Sequence, residues 1–236
     1  MAADGAEPAE LYASALLHWP SQISNLEQKR AAAQRVVEHV RDGQVVGIGS
    51  GSSSYLALWG IGERVRSEGL SIRVVTSSYE TELAALRFGI QLLPLGSVEP
   101  EWGVDGADEV DPHGRLIKGR GGAMFKEKIL WHTSRTMYLS VDASKHVARL
   151  GQNFPVPIEV DRAAVELVAR ELDSLSCSGY ELRLAGGKDG PVFTEAGNLI
   201  IDAWFDEIPH GTHALLKQLP GVIETGLFEG YAFEVL

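Results

Sequence analysis

Short apolar runs alternate with longer amphipathic stretches along the first 150 residues of the chain. Leu26 to Val40 reads as a helix with Asn25 as its cap and Asp42-Gly43 at its end, and Val45 to Gly49 follows as a buried strand. Helical character returns from Ser52 through Leu56, Leu58, Trp59 and Ile61. A strand over Ile72 to Thr76, a helix around Tyr79 to Phe88 and a strand over Thr136 to Val141, ending in Asp142, continue the alternation. Strand, helix, strand in this order predicts a parallel sheet covered by helices.

The pattern changes at Gly151 to Pro157, which has the composition of a linker. Beyond it come a strand from Ile158, a helix over Ala163 to Leu175, strands near Tyr180 to Leu184 and Asn198 to Trp204, a helix from His210 to Leu219, and a strand over Val222 to Thr225. That order predicts a small α+β unit over 152–228. Tyr231 to Leu236 reads as a strand returning to the first sheet, so the main unit comprises 1–151 and 229–236.

With 236 residues, 44% of them hydrophobic and 22% charged, the chain suits one large core, or one core plus a small lobe. A formal net charge of -11 argues against nucleic acid as the partner, while a local group of lysines and backbone N–H groups can still hold a small anion. Met1 to Pro20 contains acids and no Lys or Arg, unlike a secretory or transit segment, and no run approaches the roughly 20 apolar residues of a membrane span. Cys177 is the only cysteine, so no internal disulfide can form and a reducing, cytoplasmic setting is expected. Its neighbours Ser176, Ser178 and Gly179 read as a loop and do not suggest a nucleophile.

Two segments carry candidate chemistry. Gly47-Ile48-Gly49-Ser50-Gly51-Ser52-Ser53-Ser54 follows a strand and opens a helix, where free N–H groups and the helix dipole favour an anion. Position 52 is Ser where a dinucleotide fingerprint needs its third glycine, and the Gly-Lys-Ser/Thr ending of a Walker motif is missing. A serine-capped turn and a phosphomonoester cradle both fit, and the serine hydroxyls favour the second.

Asp105 to Lys128 gathers acids, Lys118, the glycine-rich turn Gly119-Arg120-Gly121-Gly122 and a further acid, Glu127. The Asp105-Gly106-Ala107-Asp108-Glu109-Val110-Asp111 cluster fits a solvated turn, a divalent-metal site or proton-transfer carboxylates. It lacks the calcium-loop pattern, and none of the seven histidines forms a ligand-like pair. Glu127 has Ala123, Met124, Leu130 and Trp131 at its helical neighbour positions, an apolar wall able to raise its pKa. Lys126 and Lys128 have apolar neighbours at the same spacings, so periodicity does not choose which of the three faces inward.

These residues resemble ribose-5-phosphate isomerase of type A. The likeness rests on Gly-Ile-Gly-Ser-Gly-Ser, Asp105-Gly-Ala-Asp-Glu-Val-Asp, Ile117-Lys-Gly-Arg-Gly-Gly-Ala and Glu127-Lys-Ile. Asp142-Ala-Ser-Lys145, Phe154-Pro-Val-Pro-Ile-Glu-Val160, Gly197-Asn198 with Ile201-Asp202, and Pro220-Gly221-Val with Gly226-Leu-Phe228 extend it in family order from about residue 25 to the end. Ser50 and Ser53 stand where threonine is common, Arg120 where glycine is frequent and Ala196 where many members have Asn.

The resemblance implies interconversion of D-ribose 5-phosphate and D-ribulose 5-phosphate in the pentose phosphate pathway, without metal or organic cofactor. By likeness, Glu127 is the base that moves a proton between C2 and C1 through a cis-enediolate. Asp105, Asp108 and Lys118 serve ring opening and the hydroxyl protons. Lys118 and the N–H groups of Gly119, Arg120, Gly121 and Gly122 stabilise the enediolate, and Ser50, Gly51, Ser52, Ser53, Lys145 and Lys29 hold the phosphate. The likeness also implies a Rossmann-like, doubly wound α/β domain with a small ferredoxin-like lobe inserted before the last strand. A homodimer or homotetramer is expected, with His210 to Gly221 as a candidate contact surface. Sugar-phosphate sensors and coenzyme A transferases share related folds. A sensor that regulates transcription would carry a basic helix-turn-helix segment, and a transferase has no use for the Asp105 cluster with Lys118.

Overall fold

Val45–Ile48 (β1) is buried at every position, as expected of a strand with helices on both faces. In the computed structural model, which describes residues 23–236, β1 lies inside a six-stranded parallel sheet. Arg73–Thr76 (β2) flanks it on one side with Gln91–Leu92 (β3) beyond. Trp102–Asp105 (β4) flanks it on the other, followed by Met137–Leu139 (β7) and Glu234–Val235 (β13). Leu26–Val37 (α1), Gly51–Glu68 (α2) and Tyr79–Arg87 (α3) cover one face, where Val36, Leu58, Ile61 and Ala84 pack on Val46, Ile48, Val74 and Val104. Met124–Thr133 (α4) covers the other face, with Leu130 against Val45 and Val75. The chain runs outward from β1 through β2 and β3 and then crosses back to β4. The strand order therefore reverses between β1 and β4, and in such sheets the crevice beyond the strand ends at that point is where ligands bind. The fold is Rossmann-like.

A second, antiparallel sheet has the order β11-β8-β10-β9, built from Val156–Val160 (β8), Cys177–Leu182 (β9), Leu199–Phe205 (β10) and Val222–Thr225 (β11). With Val165–Leu172 (α5) after β8 and Thr212–Lys217 (α6) after β10, this is the β-α-β-β-α-β arrangement of ferredoxin-like units. Val156, Ile158 and Val160 pack with Val168, Leu172 and Leu216 of the two helices. Strand alternation then turns Pro157 and Glu159 to the opposite face, toward the start of α4. There the buried Glu159 accepts from Thr194 Oγ1 (2.7 Å), Asn198 Nδ2 (2.8 Å) and the Phe125 N–H.

Several expectations change. The hairpin Glu109–Val110 (β5) and Leu116–Ile117 (β6), joined by Leu227–Phe228 (β12), makes a third small sheet that the hydrophobic pattern did not disclose, and β4 is a further strand it missed. Asn25 does not cap α1 through its side chain. It adopts φ 52 and donates Nδ2 to Asp142 Oδ1 at 3.3 Å, and α1 ends at Val37, short of Val40. Cys177 opens β9 instead of lying in a loop, because its backbone pairs with Phe205 and its thiol faces the Trp204 carbonyl at 3.2 Å. Helices α5 and α6 are shorter at both ends than expected. Met1 to Pro20, read above for targeting signals, lies outside the described residues. Among the described residues no helix is long and apolar enough to cross a membrane.

Candidate active site

The C-terminal ends of β1 and β4 bring the two candidate segments together. Gly49 follows β1 so closely on Asp105 that a Cβ there would stand 2.1 Å from Asp105 Oδ1, a distance that excludes every residue but glycine. Asp105 is fully buried and saturated with donors: Trp131 Nε1 (2.9 Å), Ser54 Oγ (3.3 Å), the Gly106 N–H (2.8 Å) and Lys118 Nζ (2.9 Å). Lys118, on the far side of the β5–β6 hairpin, also donates to the Gly106 carbonyl and lies 3.4 Å from Glu127 Oε1. Ser50 Oγ donates to that same Glu127 oxygen at 2.7 Å. Asp105, Lys118, Glu127 and Ser50 thus form one connected cluster, and Glu127 Oε2 is buried without a partner among the described residues.

Of the three charged residues that open α4, Lys126 stays partly exposed and pairs with Glu195 at 3.5 Å, while Glu127 and Lys128 turn inward. Their destinations differ. Lys128 meets Glu224 at 2.8 Å on the small-sheet side, and Glu127 meets Lys118 and Ser50 at the strand ends. Burial, reinforced by the negative charge of Asp105, pushes the Glu127 carboxyl up to about 7 against the lowering influence of Lys118 and the Ser50 hydroxyl. Burial alone would lower the Lys118 ammonium, but the charges of Asp105 and Glu127 outweigh it and hold it above its ordinary range.

The acidic run after Asp105 divides by role. Glu109 accepts from the N–H groups of Gly151, Asn153 and Phe154, and Asp111 accepts from Arg115 Nε (2.7 Å) and from the His113 and Arg115 N–H groups; both are structural. Asp108 faces the glycine turn, accepting from the Arg120 N–H at 3.1 Å, with the exposed Arg120 side chain 3.8 Å away. Among the described residues no group of three His, Cys, Asp or Glu side chains is arranged to hold a metal ion.

A cationic end lies next to this cluster. Lys29, buried on α1, donates to Ser52 Oγ at 3.1 Å. Burial lowers the Lys29 pKa and the nearby positive charges of Lys145 and Arg120 lower it further, against Asp142 and Asp108, so three cations converge here. Lys145 ends the 3-10 turn Ala143–Lys145, which Asp142 caps by accepting from the Ser144 N–H at 2.9 Å. The Asn25–Asp142 bond ties that turn to the start of α1. Ser53 is buried against Gly106, and the Gly51 N–H is given to Glu80 Oε1 at 2.9 Å. Ser50, read from sequence as a phosphate contact, gives its hydroxyl to Glu127 instead.

Gly119 takes φ 97, a left-handed conformation suited to glycine, and starts the turn Gly119–Gly122 closed by the Gly122 N–H on the Gly119 carbonyl at 3.0 Å. With the Arg120 N–H already given to Asp108, the N–H groups left for an oxyanion narrow to those of Gly119 and Gly121. Sequence reasoning missed Trp131 as a polar partner, reading it only as apolar wall, although its position four residues after Glu127 puts both on one helix face. It also missed Ser54, Glu80 and Arg183, whose contacts with Asp105, Gly51 and Gly119 span 29 or more residues and leave no local signal.

A buried carboxylate near neutrality, a charged lysine beside it and a cationic pocket are suited to moving a proton on a phosphorylated carbon skeleton. The family model for ribose 5-phosphate isomerase A (phosphoriboisomerase A) matches residues 73–236. Ribose-5-phosphate isomerase A of Methanothermobacter thermautotrophicus is 42% identical over 210 residues, covering 88% of this chain and 92% of its own. That of Archaeoglobus fulgidus is 42% identical over 204 residues, covering 85% and 89%. The structure of ribose 5-phosphate isomerase A from Methanocaldococcus jannaschii aligns with a TM-score of 0.85 at 35% identity, over 90% of this chain and 95% of its own. A D-ribose-5-phosphate isomerase in complex with phospho-erythronic acid aligns with a TM-score of 0.84 at 40% identity, over 87% of this chain and 91% of its own. Matched over most of its length in sequence and in fold, the chain belongs to the ribose 5-phosphate isomerase A family.

Proposed function

We propose that the Glu127 cluster carries out the aldose–ketose isomerisation of the family, D-ribose 5-phosphate to D-ribulose 5-phosphate, within the pentose phosphate pathway. The observation that carries this reading is the placement of Glu127, buried, partnered by Ser50 and Lys118 and raised to about 7, where a carboxylate is basic enough to take a carbon-bound proton and still about half ionised at neutral pH.

In the open-chain sugar, the Glu127 carboxylate removes the C2 proton. The electron pair moves into a C1–C2 double bond, and the aldehyde oxygen becomes the enediolate oxygen. The Lys118 ammonium and the N–H groups of Gly119 and Gly121 meet that negative charge with donors fixed beforehand. Glu127 then delivers its proton to C1, the O2 hydroxyl proton passes to O1, and the ketone forms at C2 with atoms and charge conserved. Asp108 fits ring opening better than Asp105, because Asp105 is fully buried and already accepts from four groups while Asp108 borders the accessible turn. Lys29, Lys145 and Ser52 receive the phosphate, with Ser53 and Gly51 lining the same turn. The role given to Asp105 is to hold Lys118 charged and to keep the Glu127 carboxyl high.

The reading also divides the chain into a catalytic unit, 1–151 with 229–236, and a small lobe, 152–228, supported by the second sheet drawing all four of its strands from within the lobe. It extends to a homodimer or homotetramer joined through the lobe, where Tyr180, Trp204 and Leu215 are exposed apolar residues. A cytoplasmic setting accords with Cys177 as a free thiol. The test is turnover of D-ribose 5-phosphate by wild type and Glu127→Gln. The reading requires the wild type to form D-ribulose 5-phosphate and the variant to lose about 100-fold or more in kcat while still binding the sugar phosphate.

A further inference from the structure

Arg183 stands just beyond β9, with its backbone N–H on the Ile200 carbonyl at 2.9 Å, which sets its side chain beside Asp202 of β10. Asp202 braces the guanidinium along one edge with two parallel bonds, Nε to Oδ2 at 2.7 Å and Nη2 to Oδ1. The free arm, Nη1, reaches out of the small sheet to the glycine turn, donating to the carbonyls of Gly119 (3.1 Å) and Arg120 (2.8 Å). The pair is mostly shielded, with 16% of the Arg183 side chain and 9% of the Asp202 side chain exposed.

These contacts fix more than the carbonyls. In a trans peptide the C=O and the N–H of one plane point in opposite directions, and no cis bond occurs among the described residues. The Gly119 carbonyl shares its plane with the Arg120 N–H, and the Arg120 carbonyl shares its plane with the Gly121 N–H. Drawing both carbonyls to one guanidinium therefore turns both N–H groups the other way. The first does point so, onto Asp108 at 3.1 Å. The second belongs to Gly121, which lies beside Ser50: a Cβ on it would be 3.5 Å from Ser50 Oγ, the hydroxyl bonded to Glu127. A charge on the carbonyl side also polarises each peptide, making the N–H opposite a stronger donor. Only a planar fork can hold Asp202 with one edge and two carbonyls with its other arm; an ammonium cannot.

We propose that Arg183, braced by Asp202, is a positioning residue for the isomerisation, aiming the Gly121 N–H at the enediolate oxygen and the Arg120 N–H at Asp108. It touches no substrate and acts through the peptide planes. The inference rests on the isomerase reading above and adds that the small lobe takes part in catalysis.

The test compares wild type with Arg183→Ala, Arg183→Lys and Asp202→Asn, measuring kcat and KM for D-ribose 5-phosphate and the affinities for phospho-erythronic acid and inorganic phosphate. Loss of one aimed donor predicts a kcat lower by about 10- to 100-fold in Arg183→Ala, with KM changed by less than about threefold. Affinity for phospho-erythronic acid should fall in step, affinity for phosphate should hold, and added guanidinium ion should restore part of the Arg183→Ala rate. Arg183→Lys, which keeps charge and bulk, should still lose about tenfold, and it decides the matter alone if the alanine variant does not fold. An active wild type beside variants of unchanged kcat would overturn the inference and leave the isomerase reading standing. So would equal losses of phosphate and phospho-erythronic acid affinity, which mark a general loosening. A folded wild type with no turnover would overturn both.

Discussion

The acid limb of activity follows from where Glu127 sits. Its carboxyl is raised to about 7 from the ordinary 4.5 by burial and by Asp105, against Lys118 and Ser50. As a base it works only when ionised, which at pH 6 is about one molecule in eleven and at pH 8 about ten in eleven, so kcat should fall about tenfold between pH 8 and pH 6. A carboxylate at the ordinary value would lose almost nothing over that range. The sugar phosphate itself titrates near pH 6, so kcat at saturation is the quantity to follow, together with a direct titration by 13C NMR of protein labelled at glutamate carboxyls. The resonance absent from Glu127→Gln should titrate with a midpoint near 7. Ser50→Ala, which removes a hydrogen bond to the charged form, should move that midpoint upward by about one pH unit. A Glu127 midpoint below about 5, or a flat rate from pH 8 to pH 6, would refute the reasoning.

The same group couples folding to pH. A carboxyl whose folded pKa of about 7 exceeds its unfolded 4.5 contributes stability that is present below pH 4.5 and lost as pH rises through 7, about 3 kcal/mol in all. Urea denaturation should therefore show Glu127→Gln gaining about 3 kcal/mol on the wild type between pH 4 and pH 8, and a constant difference would contradict the shift. At the cationic end, Lys145→Ala and Lys29→Ala should each raise KM about tenfold or more with a smaller effect on kcat, as loss of a phosphate contact would; a pure kcat loss at unchanged KM would contradict that assignment.

Much of the frame was legible because helices on both faces leave their mark in the chain. The run at Val45 is apolar throughout, Val74 and Val75 form an apolar pair between Arg73 and Thr76, and the turn after β1 shows its glycines and serines openly. Trp102–Asp105 escaped because a four-residue strand holding a glycine and ending in a buried acid has no periodic signature, yet it carries Asp105 to the site. Which of Lys126, Glu127 and Lys128 faces the chemistry was not legible either. Lys128 is buried too, and its partner Glu224 lies 96 residues further on. The acidic run looked uniform in sequence, and only tertiary contacts separate Glu109 and Asp111, which hold loops, from Asp105 and Asp108 at the strand ends. Ser50 shows the same limit: its position predicted the turn correctly, but its hydroxyl found Glu127 across 77 residues.

The most direct test of the central claim is turnover of D-ribose 5-phosphate in excess EDTA, following D-ribulose 5-phosphate with wild type and Glu127→Gln side by side. Undiminished wild-type activity, with a loss of about 100-fold or more in the folded variant, is the result expected if Glu127 moves the proton. Glu127→Gln retaining wild-type kcat, or wild-type activity abolished by the chelator and restored by a divalent ion, would contradict it.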